Sequence, residues 1–237
     1  MVSISSQIVI TGIGAVTPLG NSFDAIGDAL QNGHSGIDFY DFGTFSRQQE
    51  HAAARVQSVD VETDDNIISS SWRIEKSSRL EQFTVVPSAL ALADAGIQTS
   101  SCTVDQKNRI GFIAGIGAEQ LKDWEHDFLD GGHDVFHAKR QPSLVHRAAQ
   151  ILGIHGPAAT VAAACASSGY ALALGKTWLE TGLVDACVVG GCDVLSPTAL
   201  AAFHNLRALS RREDDPKKAS RPFDQDRDGF VMGEGGV

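Results

Sequence analysis

Cys165 is the residue of this sequence best placed for nucleophilic chemistry. It follows a run of apolar and small residues at 158–164 and precedes Ala166, Ser167 and Ser168, which open an alanine- and leucine-rich stretch. This order predicts a tight turn from a buried strand into a helix, with the sulfur near the positive end of the helix dipole, which favours thiolate over thiol. The backbone N–H of Cys165 is then placed to point at an oxyanion formed on a bound acyl group. We predict a nucleophile here, with a buried structural cysteine as the alternative.

The other cysteines and the eight histidines are weaker candidates. Cys187 and Cys192 lie among valines and glycines in the middle of a predicted strand, which is typical of structural thiols. Four cysteines without a Cys-x-x-Cys spacing do not indicate a disulfide framework in a chain of this length, so a reducing cytoplasm is expected. His133 and His137 have an i, i+4 spacing compatible with a metal, but no Glu lies between them and the preceding glycines disfavour a helix. We expect surface histidines and no metal.

Apolar strands alternate with helical patterns along the chain, which predicts an α/β layer fold with a covered, mostly parallel sheet. Strands are predicted within residues 7–20, 109–117, 158–165 and 185–193, and helices within residues 21–30, 79–95, 143–152 and 166–181. Residues 34–71 are polar and irregular and are expected to form a solvated surface excursion. Residues 228–237 resemble a turn leading into another buried strand, so we expect the polypeptide to be half of a larger unit.

Composition and charge exclude other classes of protein. The chain has 237 residues, of which 43% are hydrophobic and 20% charged, as in soluble globular proteins. Its net charge of −10 disfavours nucleic acid as a partner, because nucleic-acid-binding domains are normally basic. The strongly apolar stretches are far shorter than the roughly 20 residues of a membrane span. The N-terminus lacks a signal-peptide pattern, and no complete dinucleotide, Walker or Gly-x-Ser-x-Gly motif is present. A cytoplasmic protein without membrane attachment is expected.

Longer motifs, in the correct order along the whole chain, resemble the β-ketoacyl synthase family of fatty-acid and polyketide assembly. They are Val9-Ile-Thr-Gly-Ile-Gly-Ala-Val-Thr-Pro-Leu-Gly20, Gly33-x-Ser-Gly-Ile37, Cys165-Ala-Ser-Ser-Gly169, Gly182-x-x-Asp185-x-x-x-x-Gly190-Gly191, Arg207-Ala-Leu-Ser-Arg-Arg-Glu-Asp-Asp-Pro216 and Ala219-Ser-Arg-Pro-Phe-Asp-Gln-Asp-Arg-Asp-Gly-Phe-Val-Met-Gly-Glu-Gly235. The resemblance implies a thiolase-like fold of two similar halves in five α/β layers. It identifies residues 1–237 as one domain, the N-terminal half.

The resemblance also implies a reaction, a decarboxylative Claisen condensation. An acyl group moves from the phosphopantetheine thiol of an acyl carrier protein to Cys165, malonyl-carrier loses carbon dioxide, and the carbanion attacks the thioester. Two histidines and a lysine of the second half take part, and their motifs are not in this chain. No resident cofactor is implied, because the phosphopantetheine arrives on the carrier. A homodimer is expected, with the strand before Cys165 near the two-fold axis.

Three pocket residues carry over from the family pattern. Phe203 matches a position that lines the acyl channel, with ordinary core packing as the alternative, and Phe230 matches a residue close to the nucleophile. Ala118 stands where some members carry a bulky gating side chain, which implies a wider far end of the channel.

A basic surface for the acidic carrier is expected around Arg207, which matches a carrier-contact position, and Arg79 is expected to join it. Residues 207–221 contain six Lys and Arg against three Asp and Glu, a local charge of 6 − 3 = +3. Such a patch attracts an acidic partner, and the attraction weakens as salt rises. A solvated charged loop is the alternative.

A second hypothesis is a non-catalytic subunit like the chain-length factors of type II polyketide systems, or one half of a split synthase. Cys165 argues against a chain-length factor, because those subunits usually lack the cysteine. Thiolases and acetyl-CoA-primed synthases share the fold, but Arg-Pro-Phe-Asp at 221–224 and Asp-Gly-Phe-Val at 228–231 favour the carrier-dependent branch. Chain length and the choice between fatty-acid and polyketide pathways stay open.

Overall fold

The computed structural model describes residues 7–42, 50–59, 67–117, 121–132, 143–212 and 214–237. Helices and strands alternate through most of this part of the chain. The α-helices are α1 Phe23–Gln31, α2 Arg79–Asp94, α3 Val104–Asn108, α4 Leu121–Leu129, α5 Leu144–Ile151, α6 Ser167–Glu180 and α7 Pro197–Asn205. The strands are β1 Ile37–Asp41, β2 Glu50–Ala54, β3 Ile110–Gly115, β4 Ala158–Val161, β5 Ala186–Asp193, β6 Met232–Gly233 and β7 Gly235–Gly236.

The main sheet has four strands in the order β4-β3-β5-β7. The first three strands are parallel, and β7 runs antiparallel to β5. Helix α6 packs on β3 and β5 from one side, whereas α2 and α5 pack together against the sheet. Because β3, β4 and β5 are parallel, their carboxyl ends meet at one edge, and ligands of open α/β sheets bind at that edge.

Helix boundaries follow the local sequence. Side-chain hydroxyls cap the amino ends of α1, α2, α3, α5 and α7 by accepting a backbone N–H of the first turn. The capping residues are Ser22, Ser78, Thr103, Ser143 and Ser196. The four predicted helices and the three predicted strands of the parallel sheet are therefore confirmed, with ends that differ by a few residues.

Pro87 lies inside α2 and removes the backbone N–H that would bond the carbonyl of Phe83. Gly236 of β7 lies against that carbonyl, since a Cβ at this glycine would be 2.0 Å from the Phe83 oxygen. Gly14 lies as closely on the carbonyl of Pro87, where a Cβ would approach the oxygen to 2.1 Å. The middle of α2 thus supports both β7 and the N-terminal segment by backbone contact.

Two sequence predictions about the peripheral segments are wrong. Residues 7–15 lie outside the described strands, and residues 8–10 are exposed. The reason is that only Val16 of this segment forms a β-bridge to β7, which has two residues available for pairing. Residues 34–71 are not wholly irregular: β1 and β2 form an antiparallel pair in the register Ile37↔Ala54, and β6 adds to β2 in parallel. Their short, mixed sequences carry no clear alternation of polar and apolar residues.

The described helices were also compared in length and hydropathy with a membrane span, and none of them meets both requirements.

Candidate active site

Cys165 lies at the turn between β4 and α6, as predicted, and its side chain is exposed. Ala164, just before it, has a left-handed backbone with φ = +50°, which is unfavourable for a residue with a Cβ. The buried hydroxyl of Ser167 holds this turn by donating to the carbonyl of Ala164 at 2.7 Å and accepting the N–H of Ala163 at 2.9 Å. Ala166 is the N-cap of α6, so Cys165 immediately precedes the positive end of that helix dipole.

Two glycines at the ends of neighbouring strands let α6 begin against the sheet. A Cβ at Gly115 of β3 would lie 2.4 Å from the carbonyl carbon of Ser167 and 2.5 Å from the nitrogen of Ser168. A Cβ at Gly191 of β5 would lie 1.9 Å from the hydroxyl oxygen of Ser168. Side chains at these positions would displace the first turn of α6, and with it the neighbouring Cys165.

An open cavity of about 350 Å³ adjoins Cys165 at the carboxyl edge of the sheet. Backbone forms much of its lining, which includes Gly115, Gly117, Gly191, Gly233, Gly235 and Gly236. Ser167, Ser168, Cys192, Asp193 and Glu234 also adjoin the cavity. A nucleophile beside a cavity lined by peptide groups suits a substrate that approaches the backbone closely.

Glu234 is a site residue that the sequence analysis did not identify. Its side chain is only 1% exposed, and it forms an ion pair with Arg79. A lone acid within the apolar and glycine-rich segment 229–237 was the available signal, because a buried carboxylate needs a partner.

The other thiols on β5 have the structural environments predicted for them. Burial raises the pKa of the Cys187 thiol to about 12, which keeps it protonated. Cys192 is buried, with its sulfur 3.2 Å from the hydroxyl oxygen of Thr84 on α2.

The predicted pocket residues Phe203 and Phe230 contact each other. Their rings meet edge to face with centroids 5.1 Å apart, and neither is among the residues that line the cavity beside Cys165. Phe230 is held by backbone hydrogen bonds to Ala208 and Ser210, each 2.9 Å long. Ala118, the third predicted pocket residue, lies outside the described residues. Their roles toward an acyl chain stay predictions.

Arg207 is exposed just beyond the carboxyl end of α7. The backbone N–H of Arg207 donates to the carbonyl of His204 at 2.9 Å, and the N–H of Ala208 donates to the carbonyl of Phe203 at 3.1 Å. This pair of hydrogen bonds is the Schellman motif. Glycine usually occupies this left-handed position, whereas Arg207 adopts it with φ = +54°. Among the residues that the structure describes, the guanidinium of Arg207 has no ion-pair partner, and Arg211 and Lys217 are also exposed.

Arg79 occupies a different environment from Arg207. Its guanidinium bonds Glu234 and the carbonyl of Val56, and its Cζ atom lies 5.0 Å from the centroid of the Phe83 ring. These contacts give Arg79 a role inside the fold, and its predicted contact with a carrier stays a prediction.

Metal chemistry finds no support in the residues that the structure describes. No group of three or more His, Cys, Asp or Glu side chains there is arranged to hold an ion. His133 and His137, the spacing considered in the sequence, lie outside the described residues.

Comparisons with known proteins show which proteins this chain resembles. The family model of the β-ketoacyl synthase N-terminal domain matches residues 5–237. A putative polyketide β-ketoacyl synthase 1 from Streptomyces halstedii is 32% identical over 98% of the chain, which covers 57% of that relative. The 3-oxoacyl-[acyl-carrier-protein] synthase 2 of Synechocystis is 32% identical over 97% of the chain and is covered to 56%.

Solved structures show the same fold. A β-ketoacyl synthase from Burkholderia phymatum STM815 superposes with a TM-score of 0.74 at 26% identity, over 96% of this chain and 57% of that one. The chain thus spans a little over half the length of these relatives, and the predicted thiolase-like α/β fold is confirmed. The family model matches almost the whole chain. This chain therefore belongs to the β-ketoacyl synthase family and corresponds to the N-terminal domain of that family.

Proposed function

We propose that this chain supplies the nucleophile of a β-ketoacyl synthase that condenses acyl and malonyl thioesters in fatty-acid or polyketide elongation. The observation that carries the proposal is the exposed Cys165 sulfur, which adjoins the glycine-lined cavity and immediately precedes the N-cap of α6. This position gives an acyl group an open approach to the sulfur, beside the first turn of α6.

In the first half-reaction the Cys165 thiolate attacks the carbonyl carbon of an acyl thioester on the carrier. A carbon–sulfur bond to Cys165 forms, the bond to the phosphopantetheine sulfur breaks, and that thiol leaves. In the second, malonyl-carrier releases carbon dioxide, and the resulting carbanion attacks the Cys165 thioester. A carbon–carbon bond forms and the Cys165 thiolate is expelled. The covalent intermediate divides one difficult step into two easier ones.

The second half-reaction draws on residues outside this chain. By family resemblance, two histidines and a lysine from the second half of the synthase stabilise the decarboxylating malonyl group. We therefore propose that the active unit combines this domain with such a half, in a cytoplasmic homodimer.

The partner proposed for the exposed cations Arg207, Arg211 and Lys217 is an acyl carrier protein. A positive surface on a chain of net charge −10 is suited to steer an acidic protein. The left-handed backbone of Arg207 supports this role, because strain retained at an exposed residue points to a function. One of the matched structures, at 25% identity and a TM-score of 0.74, is described as a type II polyketide acyl-carrier protein in complex with its ketosynthase.

A test is acyl transfer to the full-length protein, followed by intact mass spectrometry and peptide mapping. Wild type and Cys102→Ala, incubated with acyl-loaded carrier protein, are expected to gain one acyl group on Cys165. Cys165→Ala is expected to gain none while retaining the wild-type unfolding temperature. Adding malonyl-carrier is expected to discharge the acyl group and release carbon dioxide. Acylation confined to Cys102, or no acylation of folded wild type, would contradict the proposal.

The same experiment separates the alternative, a non-catalytic partner subunit like a chain-length factor. One matched structure, at 26% identity and a TM-score of 0.74, is described as the ishigamide ketosynthase/chain length factor. A subunit of that kind would bind a partner synthase without acylation of Cys165. The exposed position of the thiol favours the enzyme.

A further inference from the structure

Asp193 and Glu234 both adjoin the cavity beside Cys165, and their carboxylates differ in environment. Asp193, at the end of β5, is exposed, whereas Glu234, between β6 and β7, is buried. A buried carboxylate is unfavourable unless charges and hydrogen-bond donors surround it. The contacts that compensate Glu234 therefore indicate what it holds in place.

The Glu234 carboxylate joins three separate segments of the chain. Its Oε1 atom accepts from Nε of Arg79 at 2.9 Å, from Nη2 of the same guanidinium, and from the backbone N–H of Val56 at 3.1 Å. Its Oε2 atom accepts from the backbone N–H of Leu195 at 3.2 Å. Its own N–H donates to the carbonyl of Ala54 at 3.0 Å. The segments after β2, at the start of α2 and after β5 thus converge on one side chain.

The residues that directly follow Glu234 form part of the cavity wall. Gly235 pairs with Asp193, and Gly236 pairs with Cys192. Val237 and Gly191 exchange two backbone hydrogen bonds, each 3.0 Å long. Gly191 in turn lies against Ser168 in the first turn of α6. A continuous series of contacts therefore runs from the Glu234 carboxylate, through β7 and the end of β5, to the turn that carries Cys165.

We propose that Glu234 is a positioning residue of the acyl-transfer site, which fixes residues 235–237 as a rigid wall of the cavity. This inference rests on the proposed function, because it concerns how an acyl thioester is placed against Cys165. Glu234 acts through β7 and Gly191, and its oxygens are already occupied by protein donors. Attack on a thioester requires the reacting atoms to be held about 3–3.5 Å apart, and a displacement of about 1 Å can reduce the rate roughly 100-fold.

The test compares Glu234→Gln with wild type in the full-length protein. Glutamine preserves the size of the side chain but removes the charge opposite Arg79 and places an NH₂ group among N–H donors. The acylation rate of Cys165 by acyl-loaded carrier is measured per folded molecule, with the folded fraction taken from near-UV circular dichroism. We expect kcat to fall at least tenfold while KM for the carrier stays within twofold.

Three further variants separate positioning from general stability. Arg207→Ala is expected to show the opposite pattern, a raised KM with unchanged kcat, because it touches only the proposed carrier surface. Asp185→Asn removes an exposed ion pair with Arg109 at the other end of β3 and β5, and is expected to leave both constants unchanged. Glu234→Asp keeps the charge and is expected to recover part of the lost kcat.

A second measurement works without acyl transfer, so failure of the proposed function is distinguishable from failure of this inference. Hydrogen exchange is followed at the N–H groups of Gly236 and Val237, which bond the carbonyls of Val16 and Gly191. In Glu234→Gln and Glu234→Asp these amides are expected to exchange at least tenfold faster, with amides of β3 unchanged. Unchanged exchange at both positions, or a wild-type kcat in folded Glu234→Gln, would overturn the inference. Absence of acylation in wild type with altered exchange would refute only the condensing activity.

Discussion

The hydroxyl of Ser167 spans the turn at Cys165 by donating to the carbonyl oxygen of Ala164, 2.7 Å away. The hydroxyl oxygen of Ser167 also accepts the N–H of Ala163, so one buried side chain holds Ala164, the residue before Cys165, in its left-handed conformation. The geometry of the turn is therefore set by Ser167, which belongs to the helix and not to the strand.

Replacing Ser167 by alanine is expected to destabilise the fold by about 1–3 kcal/mol, because two hydrogen bonds worth about 0.5–1.5 kcal/mol each are lost. The rate at which iodoacetamide alkylates Cys165 is expected to change as well, since Ala164 can relax. Urea unfolding and a timed labelling experiment measure the two effects. Ser168→Ala alters an exposed neighbour and is the matched control. Equal effects of the two substitutions would show that the Ser167 hydroxyl has no special role.

The packing of α6 against β3 predicts that alanine substitutions at two glycines have different effects on stability. Gly115→Ala is expected to destabilise the fold by about 1–3 kcal/mol through overpacking, because its Cβ would meet the backbone of Ser167 and Ser168. Gly169→Ala, within α6 itself, has open space for a Cβ and is expected to be neutral or to stabilise by up to about 1 kcal/mol. Thermal unfolding and Cys165 alkylation measure both variants. A Gly115→Ala protein as stable and reactive as wild type would disprove the close approach.

The left-handed conformation of Arg207 predicts opposite effects on stability and on binding. Arg207→Gly is expected to stabilise the fold by up to about 1 kcal/mol, because left-handed strain of roughly 1–2 kcal/mol exceeds the roughly 0.4–1 kcal/mol cost of a more flexible unfolded chain. Arg207→Ala keeps the strain and is expected to be no more stable than wild type. Both variants are expected to bind acyl carrier protein more weakly, with a smaller dependence on salt. Calorimetry and carrier titrations at two ionic strengths test this; unchanged carrier affinity in both would remove Arg207 from the proposed surface.

The burial of Glu234 predicts that its arginine partner is essential to folding. Arg79→Met leaves the buried carboxylate with its backbone donors and the more distant Arg55, whose Nε lies 3.9 Å from Oε1, and is expected to destabilise by about 3 kcal/mol, at the lower end of the range for broken buried pairs. Arg109→Met breaks the exposed pair with Asp185 and is expected to remain close to wild type. Denaturant unfolding compares the two. Similar losses would mean that burial of Glu234 contributes nothing to the effect.

The buried thiol of Cys187 predicts that the stability of the fold depends on pH in the alkaline range. Burial raises the pKa of this thiol from 9.0 to about 12, so the unfolded chain loses the proton at lower pH than the folded one. Its contribution to stability is complete below pH 9.0 and disappears as the pH rises toward 12. Cys187→Ala is therefore expected to lose less stability than wild type over this interval. Urea unfolding at a series of pH values measures the difference, and parallel curves for the two proteins would contradict the assignment.

The sequence predicts the parallel strands and the main helices well, because their apolar runs and hydroxyl caps act locally. Cys165 is likewise predictable, since a strand followed by small residues and a helix dictates the turn. The partners of Glu234 are not predictable, because Val56, Arg79 and Leu195 approach it from distant parts of the chain. For the same reason the sequence does not distinguish the role of Arg79 from that of Arg207. The guanidinium of Arg79 binds Glu234 inside the fold, whereas Arg207 is exposed.

The glycine lining of the cavity limits how this site can diverge. Peptide groups present the same chemistry whatever the neighbouring residues are. Substitutions in the surrounding core therefore leave nearly constant the surface that would contact the proposed thioester. A change in the shape of this surface requires a shift in strand register or an added Cβ, both of which disturb several backbone contacts at once. Under the proposed function, changes that admit new acyl groups are therefore expected away from this wall, where side chains, and not the main chain, would meet the substrate.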